Sequence, residues 1–265
     1  MKNSKNPLNG KNIIITRSQD KISEVQNKFN EQGARILDFP TLIINYPDNL
    51  EPLDSALANI NSFHWIIFSS SNGIKFLQKR LAEKNSSLNQ FISNIKIAVV
   101  GEKTLKTLNE LGIKANFVPP DFIAESLINH FPHSVNGLSI LLPRVQTGGR
   151  DIISTEFKNA GARVVEVAAY ESRCPNSIPK NTIHAIKQNK VDAILFSSGK
   201  TVKNAAYLLE KYFGKCWASY FDNVKILSIG PQTSLSCMEI FGRVDKQANI
   251  YTFEGLLDAT LELFG

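Results

Sequence analysis

Four short stretches carry residues whose types and spacing could do chemistry. Ser69-Ser70-Ser71-Asn72 and Ser197-Ser198-Gly199-Lys200 each follow a continuous apolar run and precede a helical pattern. Gly101-Glu102-Lys103-Thr104 and Gly230-Pro231-Gln232-Thr233 occupy the same kind of position. Arg17, in Thr16-Arg17-Ser18, and Arg144, in Pro143-Arg144, follow two further runs, with Gly148-Gly149-Arg150 close behind the second. Hydroxyls, glycines and isolated basic residues between a strand and a helix suit the binding of a carboxylate or phosphate. The first N–H groups of a helix are unpaired there and carry partial positive charge. A plainer reading stands beside this one. A Ser or Thr before a helix is commonly a cap, stabilising by about 1 kcal/mol. Repetition of the device turn after turn shifts the balance towards a ligand.

Other chemistries are poorly served. The serines have no evident His/Asp partners, and neither SSSNG nor SSGKT forms a nucleophile elbow. SSGKT has the ending of a phosphate loop without its first glycine. His130 and His133 flank Pro132 with no carboxylate or Cys to complete a metal set. His64 precedes a buried run and His184 falls on an amphipathic pattern, so all four histidines read as structural or solvated.

The elements that must position these turns occur twice. KNIIITRSQDKISEVQNKFNEQGARILDFP aligns with LSILLPRVQTGGRDIISTEFKNAGARVVEVA, matching Arg17 with Arg144 and Arg35 with Arg163. The serine turns follow at the same offset, and Gly101 and Thr104 then match Gly230 and Thr233. An internal duplication is the direct reading. Within each copy, runs such as IIIT, RILDF, WIIF, IKIAVV and NFV are continuous and β-branched, as in strands covered on both faces. Ile22, Val25 and Phe29 are spaced for one helix face, as are Leu105, Leu108 and Leu111. Gly33, Gly112, Gly161 and Gly242 stand where a left-handed residue would end such helices. Alternating strand and helix gives a parallel sheet with helices on both sides, so the expected class is α/β with two doubly wound domains. Such sheets bind ligands at the carboxyl ends of their strands, where the turns described above lie. The repeated device would then supply anion-binding walls on two sides of a cleft.

Composition sets the outer limits. A chain of 265 residues can bury roughly 70–75% of its unfolded surface, so its core needs neither disulfide nor metal. Cys174, Cys216 and Cys237 are odd in number and far apart, which suits reduced thiols. The polar start MKNSKNPLNGK has no apolar signal core and no apolar run reaches a membrane span, so a cytoplasmic location without membrane attachment is expected. The net charge of +6, from 30 basic and 24 acidic residues, suits an anionic partner. It is spread along the chain without a basic block or a zinc-finger or RRM signature, so nucleic acid is not the expected partner. No coiled-coil pattern or dimer stripe appears, so the expected state is a monomer.

The TR after the first run, the FSSSNGI turn, the paired VGEKT and IGPQT turns and the VAAYESRCP stretch together resemble the uroporphyrinogen-III synthase family. The resemblance runs from Lys11 to about Phe264, and its specificity lies in the order, spacing and duplication of the motifs. It implies two flavodoxin-like domains joined by a two-stranded linker in a crossed arrangement. Residues 1–38 with 173–265 would form the first domain and residues 39–172 the second. The crossings would lie near Asp38–Ile44 and Ala168–Arg173, with hinge motion between the domains. The repeats alone would suggest a cut near residue 136.

The implied activity is that of a cyclising hydro-lyase without metal or cofactor. It closes hydroxymethylbilane, a linear tetrapyrrole with eight carboxylates, with loss of water and inversion of the last pyrrole, giving uroporphyrinogen III. Tyr170 stands at the family's tyrosine position, where a phenol could donate a hydrogen bond to the departing oxygen. Alternatively it could be a packed residue bonded to backbone. Arg17, Ser69, Ser70, Thr104, Arg144, Ser197, Ser198, Lys200 and Thr233 would bind substrate. For the arginines an ion pair is an equal alternative. Gly199-Lys200 departs from the small hydroxyl residues usual in that turn, exchanging a hydroxyl contact for a Lys–carboxylate one. A non-enzymatic two-domain protein that binds an anionic ligand fits the same architecture, as does a synthase-like chain without activity.

Overall fold

The computed structural model describes residues 6–16, 22–148 and 151–265. In chain order the first half holds β1 (Asn12–Thr16), α1 (Ile22–Glu31), β2 (Arg35–Asp38), β3 (Ile43–Asn45), α2 (Glu51–Ala58), β4 (Trp65–Phe68), α3 (Ser71–Glu83), β5 (Lys96–Val99), α4 (Glu102–Glu110) and α5 (Ala124–Asn129). The rest holds β6 (Ser139–Val145), α6 (Ile152–Asn159), β7 (Arg163–Arg173), α7 (Lys180–Lys187), β8 (Ala193–Phe196), α8 (Gly199–Phe213), β9 (Lys225–Ser228), α9 (Pro231–Phe241), β10 (Lys246–Gln247) and α10 (Phe253–Phe264). Two compact units result: Met1–Ile43 with Arg173–Gly265, and Ile44–Ser172.

The first unit holds a sheet in the order β10-β9-β8-β1-β2, with every neighbouring pair parallel. Read from β2, this is the flavodoxin-like order, whose topological switch point falls between β1 and β8. The second sheet runs β3-β7-β6-β4-β5, with β7, β6, β4 and β5 mutually parallel. Its switch point lies between β6 and β4. Among the described residues no helix is long and apolar enough to cross a membrane.

Continuous apolar runs are required because each sheet is covered on both faces. In the first unit Ile14, Ile194, Phe196 and Ile226 join one core with residues of α7, α8 and α9. Ile13, Ile15, Leu195 and Leu227 face the opposite core with Phe29, Leu256 and Ala259. The second unit repeats the division. Ile66, Phe68, Ile97 and Val99 pack with α2, α3 and α4, while Trp65, Ile67, Ala98 and Leu142 pack with α5 and α6. Fully burying one such side chain stabilises by roughly 1.5–3 kcal/mol.

Two expectations need correction. The NFV run does not form a strand; it contributes a single parallel bridge, Phe117 to Ala98. It lies at a sheet edge, where short pairing limits exposed backbone. Ser71, Asn72 and Gly73 are not a turn before a helix but the first turn of α3 itself, capped by Ser70. The helix-ending glycines do adopt positive φ, at 86° for Gly33, 73° for Gly112, 89° for Gly161 and 73° for Gly242.

Close approach makes a different demand on two glycines in helix first turns. A Cβ on Gly255 would stand 2.0 Å from the carbonyl oxygen of Ile250, and one on Gly199 would stand 2.5 Å from Ser236 Oγ. The second contact is with a hydroxyl that can rotate away, so it sets how near α9 comes to the serine turn of the first unit without requiring glycine there. Gly255→Ala is expected to destabilise the chain by roughly 1–3 kcal/mol, because the obstructing atom is backbone. A urea midpoint unchanged from the parent would contradict this contact.

Candidate active site

In the second unit, β4 delivers Ser69 and Ser70 to the carboxyl edge of the sheet beside the switch point. Ser70 has an extended backbone, and its Oγ accepts the Asn72 N–H at 3.1 Å, so it is the N-cap of α3. The same Oγ lies 2.9 Å from the Tyr170 hydroxyl. Tyr170 comes from β7, whose pairing with β6 slips at this point. Arg144 pairs with Ala168 but Val145 pairs with Tyr170, leaving Ala169 as an extra residue. Such a bulge breaks the two-residue alternation of a strand and re-aims the following side chain. The tyrosine ring is buried at 9% exposure and stacks on Phe76 with ring centroids 6.0 Å apart.

Ser69, Ser70, Arg144 and Tyr170 line one cavity of about 340 Å³. The remaining wall is largely apolar and includes Val100, Leu142, Phe122 and Ile123. A volume and lining of this kind, with a few convergent polar groups, suit a small-molecule site.

Arg144 does not present a bare charge to this cavity. Its guanidinium pairs with both Asp151 and Glu166. Burial by itself would raise the Glu166 carboxyl, but hydrogen bonds from Ser154, Lys158 and Arg144 outweigh it and hold the group at about 2. The ion-pair alternative describes this arginine as it stands. Thr104 sits in the first turn of α4, 4% exposed, outside the cavity lining.

The first unit uses its matching residues differently. Ser197 Oγ donates to the Thr16 carbonyl at 3.3 Å. Ser198 caps α8 and exchanges hydrogen bonds with Thr201 in a reciprocal capping box. Lys200 is exposed in the first turn of α8, and Thr233 is 4% exposed in the first turn of α9. A separate cavity of about 720 Å³ in this unit is lined by Ile229, Tyr251, Thr252 and residues of α1 and α10, with none of the proposed binding residues among them. Arg17 lies outside the described residues. Among the described residues, no three His, Cys, Asp or Glu side chains gather as a metal set would require.

Residues 23–258 match the family model for uroporphyrinogen-III synthase HemD. A uroporphyrinogen-III synthase of Synechococcus elongatus is 44% identical over 251 residues, covering 95% of this chain and 94% of that one. The chain belongs to the uroporphyrinogen-III synthase family. Its fold is shared by solved members. The Helicobacter pylori synthetase superposes with a TM-score of 0.62 at 21% identity, covering 96% of this chain and 99% of that one. A mutant Thermus thermophilus synthase gives 0.57 at 16% identity, covering 96% and 98%.

For a uroporphyrinogen-III synthase family chain, the grouping of Ser69, Ser70 and Tyr170 around one cavity is the central feature of the second unit. The apolar members of that cavity, Phe122 above all, escaped a reading tuned to polar residues. The signal was available, since Phe122 matches Tyr251 at the offset that relates Gly101 to Gly230. The electrostatics beneath the cavity make a test of their own. Glu166 has a folded value near 2, below its ordinary 4.5, so its contribution is complete above 4.5 and disappears as pH falls towards 2. Glu166→Gln is expected to lose about 1–2 kcal/mol at neutral pH. The gap to the parent should close on acidification, which denaturation midpoints measured from pH 7 downward would show.

Proposed function

We propose that this chain closes hydroxymethylbilane to uroporphyrinogen III, and that the Ser70–Tyr170 hydroxyl pair serves the loss of water that begins the reaction. The observation that carries this reading is the pair itself, at the switch-point edge of a family member and on the wall of a largely apolar cavity. Ser70 Oγ already accepts the Asn72 N–H, which leaves its own hydrogen to donate to the tyrosine oxygen. The phenol hydrogen is then available to the substrate's departing oxygen. A phenol keeps its proton at neutral pH and can act as such a donor. The C–O bond breaks as the hydroxyl leaves with the phenol's proton as water, the carbon left behind bonds to the last pyrrole, and the proton that the closing macrocycle sheds returns to the phenolate.

Free hydroxymethylbilane can close without inverting that pyrrole, so the protein's main contribution is to decide which carbon is attacked. Holding the reacting groups in one geometry can lower such a barrier by roughly 7–11 kcal/mol. Substrate carboxylates would be held by Ser69, by the backbone N–H groups of the first turns that contain Thr104 and Thr233, and by Ser197, Ser198 and Lys200. Arg17 and Arg144 complete the proposed binding set, Arg144 through its carboxylate-paired guanidinium. The same reading includes a cytoplasmic monomer that uses neither metal nor cofactor.

The purified chain, supplied with enzymatically generated hydroxymethylbilane, should yield the type III isomer after oxidation. Type I alone would leave an anion-binding protein instead. Tyr170→Phe should lower kcat on the order of a hundredfold with little change in KM. A fall smaller than about twofold would remove the phenol from the chemistry. Ser70→Ala should lower kcat as well, and the double variant should be no slower than Tyr170→Phe alone, since both changes break one unit. Lys200→Ala should raise KM more than it lowers kcat, and an unchanged KM would exclude a carboxylate contact there.

A further inference from the structure

Phe122 closes a turn, its N–H donating to the Pro119 carbonyl at 3.4 Å, yet it combines a strained backbone with an exposed ring. Among the described residues, the non-glycine positions with positive φ are Asn85, Asn189 and Phe122, at 58°, 51° and 54°. Asparagine enters the left-handed region readily, whereas a bulky side chain there is strained. Burial could offset that strain, yet Phe122 is 40% exposed and the adjacent Ile123 is 50% exposed. Strain held without a packing return is characteristic of positions used by a ligand. Phe122 lines the cavity that contains Ser69, Ser70 and Tyr170.

The duplication supplies a second, independent observation. Val100 and Phe122 correspond to Ile229 and Tyr251, and the latter two line the cavity of the first unit. Tyr251 is 62% exposed, and its ring lies so close to Gly230 that a Cβ there would stand 3.1 Å from Cδ1. Both copies therefore place an exposed aromatic ring at a cavity beside the carboxyl edge of the sheet.

We infer that Phe122 is a ring-positioning residue, packing on the face of the last pyrrole where that ring meets the carbon losing its oxygen beside Tyr170, and that Tyr251 packs on a pyrrole in the same manner at the first unit. This rests on the proposed ring closure and adds the element that a rim of hydroxyls lacks. Hydroxyls and N–H groups hold carboxylates but leave a pyrrole free to turn about its bridges. Aromatic rings pack on one another in restricted offset or edge-to-face geometries, with centroids 4.5–7 Å apart. A flat contact therefore limits which carbon of the ring is presented, and Phe122 governs the isomer formed as well as affinity.

The test uses the full chain and hydroxymethylbilane, with enzyme concentration adjusted so that every variant turns over substrate at the parent's total rate. That adjustment removes the type I product formed when slow catalysis competes with spontaneous closure. Phe122→Gly relieves the positive φ, so its melting temperature should equal or exceed the parent's. Its KM should rise about tenfold, with a larger share of type I product at matched turnover. Phe122→Leu, which keeps apolar bulk without a flat ring, should behave likewise, and Phe122→Tyr should restore both quantities. Tyr251→Ala should also raise KM. If Phe122→Gly and Phe122→Leu keep the parent's KM and isomer ratio, the inference fails while the reaction stands. If the parent itself makes only type I product, the proposed reaction fails and the inference falls with it.

Discussion

Parallel pairing constrains everything else in this molecule. A strand can rejoin a parallel sheet only after a crossover, so successive strands all end on one edge and the helices that follow them all begin there. With both sheet faces buried by helices, polar chemistry has nowhere else to go. Ser70, Arg144 and Tyr170 reach one cavity because β4, β6 and β7 are neighbours running in the same direction. The sequence distance between Ser70 and Tyr170 is closed by topology rather than by any local motif.

Within that edge, the helix cap and the contact with the phenol draw on the same atom. Ser70 caps α3 through its Oγ and meets Tyr170 with the same atom. Capping the helix therefore leaves this hydroxyl free for a further contact. A cap is pre-organised by the helix it stabilises, and a phenol bonded to a cap inherits that order. The bulge at Ala169 performs the complementary task, since without it the phenol would follow the alternation set by Ala168.

Much of this was legible in the chain because periodicity and duplication are properties of sequence. The runs around Ile13–Thr16 and Trp65–Phe68 announce strands buried on both faces, and the serine turns announce where the edge lies. What could not be read depends on packing between distant segments. The ion pairs of Arg144 need Asp151 and Glu166 brought beside it by α6 and β7, and the closeness of Ser236 on α9 to Gly199 is likewise set by distant packing. The slip in register before Tyr170 leaves no local mark, because an extra alanine in an alanine pair looks like an ordinary strand. Phe122 differs: its match with Tyr251 is written in the duplication, and only its backbone conformation and its place on the cavity wall needed the structure.

The two serine turns also show how one duplicated device came to serve two ends. In the first unit the third residue of α8 is Thr201, whose side chain closes a reciprocal capping box with Ser198. The matching residue of α3 is Gly73, which has no side chain to return a bond to the backbone of Ser70. A Cβ at Gly73 would stand 3.2 Å from the Pro143 carbonyl oxygen, so the glycine also lets β6 come close to the start of the helix. The glycine thus leaves room for the strand that carries Arg144, beside which β7 lays Tyr170. The first unit keeps the better-closed cap, worth about 1 kcal/mol. The second lacks that closure, and its serine hydroxyl lies 2.9 Å from a phenol.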